Sequence, residues 1–158
     1  MHDSMSSADR QILAKGLPPG TTVRVRNEPK VIFGAVHADD GQYLWCEYFL
    51  GDGWLTAEIE GDDVLLSTWT RRPIGSADFS FDDPRAEGVR LVEIARGQAD
   101  FRAFGEFGEG VAPGDLGRLE YVEYGAPGPR AAVERFAPDA PWLLGTGTDL
   151  ALSDFALA

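Results

Sequence analysis

DDGQYLWCEYFLGDGWLTAEIEGDD, residues 39–63, is echoed by DLGRLEYVEYGAPGPRAAVERFAPD, residues 115–139. Asp39, Gly41, Trp45, Glu47, Tyr48, Glu58 and Asp63 in the first stretch correspond to Asp115, Gly117, Tyr121, Glu123, Tyr124, Glu134 and Asp139 in the second, always 76 residues apart. A constant offset over a fold-sized window leaves no net insertion or deletion between the copies, so it suggests one β-rich unit built twice. Within each stretch apolar and polar residues alternate, and the middle is broken by turn residues: Gly51-Asp52-Gly53 in one, Ala126-Pro127-Gly128-Pro129 in the other. Each therefore reads as a β-hairpin.

Working outward, Ser6 or Ser7 is placed to cap a short helix over residues 8–15 that Gly16 ends, and Leu17-Pro18-Pro19-Gly20 forbids its continuation. Strands are expected at Thr21–Arg26, Lys30–His37, Gln42–Leu50, Trp54–Glu60 and Val64–Thr70, and again at Val89–Ala95, Ala99–Phe107, Arg118–Gly125, Arg130–Phe136 and Trp142–Thr148. The fold class is all-β: two related antiparallel units in a sandwich or barrel, with an N-terminal helix. The units are bounded as 17–70 and 88–150, between a tail and helix at 1–16, a connector at 71–87 and a C-terminal segment at 151–158. Hairpin register is open. A two-residue turn at Asp52-Gly53 would set Glu47 opposite Glu58, and a three-residue loop would set Cys46 there.

Period-2 alternation puts Tyr43, Trp45 and Glu47 on one strand face and Leu119, Tyr121 and Glu123 on the matching face of the second copy. A carboxylate beside aromatics has two readings. It can accept hydrogen bonds from protein donors and pin the register, or it can line a pocket for a cation or amine. The candidate ligand-binding residues are Tyr43, Trp45, Glu47, Glu58, Tyr121, Glu123 and Glu134. Facing carboxylates could hold a hard cation only with further oxygen ligands, and no loop has calcium-binding spacing, so no metal site is assigned.

The chain carries 26 acidic and 14 basic residues, net −12, which sets nucleic-acid phosphates and anionic membrane surfaces against strong repulsion. Cys46 is the only cysteine, which excludes an intramolecular disulfide, and its neighbours Leu44 and Tyr48 place it on an apolar face as a small hydrophobe. No signal-peptide pattern and no apolar run of membrane-spanning length occur, so a cytoplasmic location without membrane insertion is expected. His2 and His37 belong to no catalytic motif, and His37 reads as a surface residue. Gly105-Glu-Phe-Gly108-Glu-Gly110 lacks the Lys-Ser/Thr and helix of a phosphate loop and reads as a turn or bulge. Phe79 and Phe81, among Asp78, Asp82 and Asp83, read as a plug between units or as an acidic-aromatic docking segment.

Trp45-Cys-Glu47-Tyr48-Phe-Leu, Gly53-Trp54-Leu55 and the later Arg102-Ala-Phe104-Gly105 and Tyr121-Val-Glu123-Tyr124 resemble the DUF4178 family of bacterial proteins over residues 18–150. That resemblance implies no established activity. It implies an accessory role near phage-shock-type membrane-stress proteins and polyamine-synthesis enzymes. The expected function is a non-catalytic interaction or adaptor protein with a protein partner, no catalytic residues and no cofactor. The alternatives are a binder of a polyamine-like cation and an uncharacterised enzyme.

Overall fold

The computed structural model describes residues 6–61, 63–75, 79–107 and 116–157. One helix, α1 (Ser7–Lys15), precedes thirteen strands: β1 (Thr22–Val25), β2 (Glu28–Val31), β3 (Gly34–Asp39), β4 (Leu44–Phe49), β5 (Trp54–Glu60), β6 (Asp63–Ile74), β7 (Arg85–Ala86), β8 (Val89–Arg90), β9 (Glu93–Gly105), β10 (Leu116–Tyr124), β11 (Ala131–Arg135), β12 (Trp142–Leu150) and β13 (Phe155–Leu157). Among the described residues, the protein is all-β apart from α1 and a 3-10 turn at Leu152–Asp154. Helix α1 starts where the Ser6 hydroxyl accepts the Asp9 N–H and stops at Gly16, whose φ of +88° favours glycine. None of the described helices is long and apolar enough to cross a membrane.

Eight strands close into an antiparallel barrel in the order β10-β11-β12-β6-β5-β4-β3-β9. It consists of two four-stranded meanders, β3 to β6 and β9 to β12, joined along a β6/β12 seam and a β3/β9 seam. Part of the barrel wall is covered on its outer face as well as its inner one. Outside, α1 and the small β13-β1-β2 sheet cover one side through Leu13, Leu17, Val23 and Ile32, packed on Cys46, Tyr48, Leu55 and Leu66. On the other side Phe79, Ala86 and Leu91 cover Val122, Tyr124, Val133 and Leu144. Phe79 and Phe81 meet edge to face at 5.2 Å and reach Tyr124 and Trp142, which makes this aromatic pair a plug over the wall. Inside, Val36, Phe101, Leu119, Phe136 and Leu143 form an apolar layer.

Several sequence expectations need correcting. The two strands expected at Val89–Ala95 and Ala99–Phe107 are largely one long strand, β9, with Val89 in the separate β8, whereas Lys30–His37 divides into β2 and β3. Strand β6 continues through Pro73 into the segment read as connector, because Leu143 and Leu144 of β12 pair with Pro73 and Arg72. His37 is not a plain surface residue: it is half-buried, with its ring 5.1 Å from that of Phe104, and its imidazole occupies the space where a Cβ on Gly16 would stand. Burial, then the charge of Arg102, pushes its pKa down. Cys46 is buried as expected, and that burial pushes its thiol up to about 11. Of the glycine stretch, Gly105 ends β9 at φ +80°, and Gly108 and Gly110 lie outside the described residues.

Neither expected hairpin register occurs. The Leu50 N–H donates to the Gly53 carbonyl at 2.9 Å, which centres the turn on Gly51-Asp52, with Gly51 at φ +89°. Trp45 therefore stands opposite Glu58 and Glu47 opposite Thr56. The second hairpin has the same register at the 76-residue offset: Tyr121 opposite Glu134, Glu123 opposite Ala132. The match has limits. Gly41 lies in the β3–β4 turn but Gly117 inside β10, Asp115 lies outside the described residues, and Glu58 pairs with Leu65 whereas Glu134 pairs with Leu143, 78 residues on. The repeat is thus carried as matched hairpins, not as a demonstrated duplication of whole units.

Candidate functional site

Cross-strand partners share a sheet face, so the observed register puts Trp45, Glu47, Thr56 and Glu58 on the inner wall together, and likewise Tyr121, Glu123, Ala132 and Glu134. Closure of the sheet then turns the two faces toward each other. Six of the seven candidate residues, Trp45, Glu47, Glu58, Tyr121, Glu123 and Glu134, line one cavity inside the barrel. Tyr43 is 48% exposed and stands at the mouth. Arg71, Arg130, Trp69 and Thr56 line it as well, beside Ala132, Leu143 and Gly145. An eight-stranded barrel has room inside for side chains or one small ligand.

The interior is polar in two places. At the deep end Glu47, 1% exposed, accepts from the Trp45 indole N–H at 2.8 Å and from Arg71 Nη2 at 2.9 Å. Arg71, 8% exposed, stacks 4.2 Å over the Trp54 ring, and its Nη2 lies 3.8 Å from Glu134 Oε1. Arg71 Nη1 and Glu134 Oε2 are buried and have no hydrogen-bond partner among the described residues. Burial, then the neighbouring Glu47 carboxylate, pushes the Glu134 pKa well above 4.5, with Arg71 opposing. The free volume of the inner cavity, which Glu58 and Glu123 also line, is about 40 Å³, enough for a hydroxyl, an amide or a few waters.

Toward the mouth, Trp45, Glu58, Tyr121 and Glu123 also line a wider opening of about 390 Å³, together with Asp40, Tyr43, Glu60 and Arg96. Strand polarity explains this: the ends of β3, β5 and β10 and the starts of β4 and β9 all meet there. Trp45 and Tyr121 meet edge to face at 5.6 Å. Tyr121 donates to Asp40 at 3.1 Å, and burial together with that acceptor pushes its hydroxyl up to about 12. Asp40 is partly buried yet held below the usual carboxylate range, because the Tyr43 and Gln42 N–H groups donate to it at 2.7 and 2.9 Å. Glu58 and Glu123 are pushed the other way. Burial leads in both cases; the charge of Glu123 adds to it at Glu58 and that of Asp40 at Glu123, against Arg130.

Arg130 lies 3.7 Å from Glu58, pairs with Asp149 and sits 5.3 Å over the Trp69 ring, while Arg96 pairs with Glu93 outside the opening. Both guanidinium groups are thus engaged, and Glu123 receives no hydrogen bond or ion pair from the described residues. The two readings of the repeated glutamates separate here: Glu47 is held by protein donors, and Glu123 presents a free carboxylate to the cavity. The arrangement can hold a positive charge between Glu58 and Glu123 with aromatic faces beside it. Among the described residues no group of His, Cys, Asp and Glu is placed to hold a metal ion.

Sequence reasoning missed Arg71 and Arg130. Arg71 falls in the connector expected at 71–87, and Arg130 opens the strand expected at Arg130–Phe136. The available signal was the excess of inward-facing carboxylates, since buried acids need cationic or protonated partners.

No family model matches the chain, so the resemblance to DUF4178 rests on the motif residues alone. No solved structure matches it. The chain is similar, at 28% identity over 144 residues, to uncharacterised proteins of Mycobacterium tuberculosis and Mycobacterium bovis; the match covers 83% of this chain, which spans 66% of the length of those relatives.

Proposed function

We propose that the protein binds a small organic cation inside its barrel. The observation that carries this reading is the pair Glu58 and Glu123: two half-buried carboxylates, one without a protein donor, beside Trp45 and Tyr121 in a cavity open at one end. Burying carboxylates costs stability unless something pairs with them, and a cation entering the opening would supply the missing partner. Aromatic faces next to acidic groups suit an ammonium ion, and a net charge of −12 attracts one. Titration calorimetry with tetramethylammonium at low and moderate salt tests this. A saturable one-site isotherm that survives added salt, and that weakens in Glu123→Gln, is expected; heat that never saturates, or vanishes with salt, would overturn the reading.

An adaptor role is the second reading. It is supported by Val89, Val92 and Ile94, which stand 52%, 39% and 56% exposed along one short segment. It requires that Ile94→Asp abolish binding of a native partner while leaving cation binding unchanged.

A further inference from the structure

Resting on the cation-binding reading, we infer that the ligand is a small amino alcohol: its ammonium sits at the mouth between Glu58 and Glu123, and its hydroxyl reaches the deep end to bridge Arg71 Nη1 and Glu134 Oε2. This narrows the ligand class and excludes the diamines and polyamines that an acidic, aromatic cavity would otherwise suggest.

The reasoning starts from two orphan atoms. Arg71 Nη1 is a buried donor with no acceptor, and Glu134 Oε2 a buried oxygen with no donor. Both belong to side chains lining the deep cavity and already coupled through Arg71 Nη2 and Glu134 Oε1 at 3.8 Å. Unpaired buried polar atoms are costly, so a group that serves both is favoured over one that serves either. A hydroxyl accepts from Arg71 and donates to Glu134 at once. An ammonium only donates; it would leave Nη1 unserved and bring a second positive charge against a guanidinium whose counter-ion, Glu47, is already committed to it at 2.9 Å.

Size agrees with this division. The inner cavity of about 40 Å³ admits a hydroxyl and its carbon but no methylated head, while the opening of about 390 Å³ that shares Glu58 and Glu123 with it admits a quaternary ammonium. Burial holds Glu134 toward its neutral form, so the deep trio of Glu47, Arg71 and Glu134 is close to charge-balanced before any ligand arrives.

The test is a matched series titrated into the wild-type protein near neutral pH: tetramethylammonium, choline, and (2-aminoethyl)trimethylammonium, in which an ammonium replaces the choline hydroxyl. Two added hydrogen bonds to buried polar groups, one of them the charged Arg71, should make choline bind roughly tenfold tighter than tetramethylammonium, or more, with the aminoethyl compound weakest. Glu134→Leu, which fills the space with an apolar side chain, should remove the advantage of choline over tetramethylammonium. If the aminoethyl compound equals or exceeds choline, the deep end takes a cation and the inference falls while cation binding stands. If choline only matches tetramethylammonium in the wild-type protein, or keeps its advantage in Glu134→Leu, the orphan pair recognises nothing and the inference falls. If none of the three binds, both readings fall together.

Discussion

Glu47 is almost wholly buried, and both its oxygens are engaged, one by Arg71 and one by the Trp45 indole. Glu47→Ala would leave the Arg71 guanidinium inside the barrel with only Glu134, 3.8 Å away, for company. Breaking a buried pair from one side costs about 3–5 kcal/mol, and the remaining carboxylate places this case near the lower end. Urea denaturation of the variant measures it, and a loss below about 1 kcal/mol would mean that water already screens the pair. Glu134 makes the opposite forecast. Folding raises its pKa, so the stability tied to its protonated form is fully present below the unfolded value near 4.5 and is lost as pH rises through the folded value. Glu134→Gln should therefore match the wild type in thermal melts near pH 4 and melt at a higher temperature than the wild type at pH 8. Equal melting temperatures at both pH values would show Glu134 to be solvated.

Strand β6 decides how much of the cavity is left. The Trp69 indole donates to the Ser67 hydroxyl at 2.8 Å and lies flat against β12, where a Cβ on Gly147 would come within 2.6 to 2.7 Å of three ring atoms. Gly147 is required here by close approach of a ring that is itself hydrogen-bonded and hard to displace. Gly147→Ala should cost about 1–3 kcal/mol by overpacking, measured by chemical denaturation, and should shift the Trp69 contribution to near-ultraviolet circular dichroism. An unchanged spectrum and stability would place the ring elsewhere. Elements like these show where sequence reading reached and where it stopped. The strands, the inward face of Trp45, Glu47, Tyr121 and Glu123, and the capped helix were legible because period-2 alternation and turn residues are local signals. The register of the β4–β5 hairpin was not, since Gly51-Asp52 and Asp52-Gly53 are both acceptable turns and only Leu50 bonding to Gly53 separates them. Nor was Arg71, whose partners lie two strands away on either side, in β4 and in β11. A pairing of that range leaves no trace in spacing.

Closure is the property of the whole molecule that neither half possesses alone. The β3–β6 meander would expose β3 and β6 as unpaired edges, and the β9–β12 meander would expose β9 and β12; the two seams, six residue pairs along β3/β9 and nine along β6/β12, remove all four edges at once. The chain between the meanders adds a further lock, since Ala86 and Leu91 pack on the outer face of β10–β12 after leaving β6. Separate units would melt separately, whereas a barrel sealed at two seams should unfold in one cooperative step. The distribution of tryptophans makes the difference measurable: Trp45, Trp54 and Trp69 report on the first meander and Trp142 alone on the second, while far-ultraviolet circular dichroism reports on the strands of both. In a urea titration the fluorescence and circular dichroism curves should superimpose with one midpoint, and saturating choline should move both to higher urea by the same amount, because the ligand touches Trp45 and Glu58 from one meander and Tyr121 and Glu123 from the other. A fluorescence transition that precedes or follows the circular dichroism, or a ligand shift in one signal only, would mean that the halves are joined but not sealed, and that a site shared between them cannot be held together.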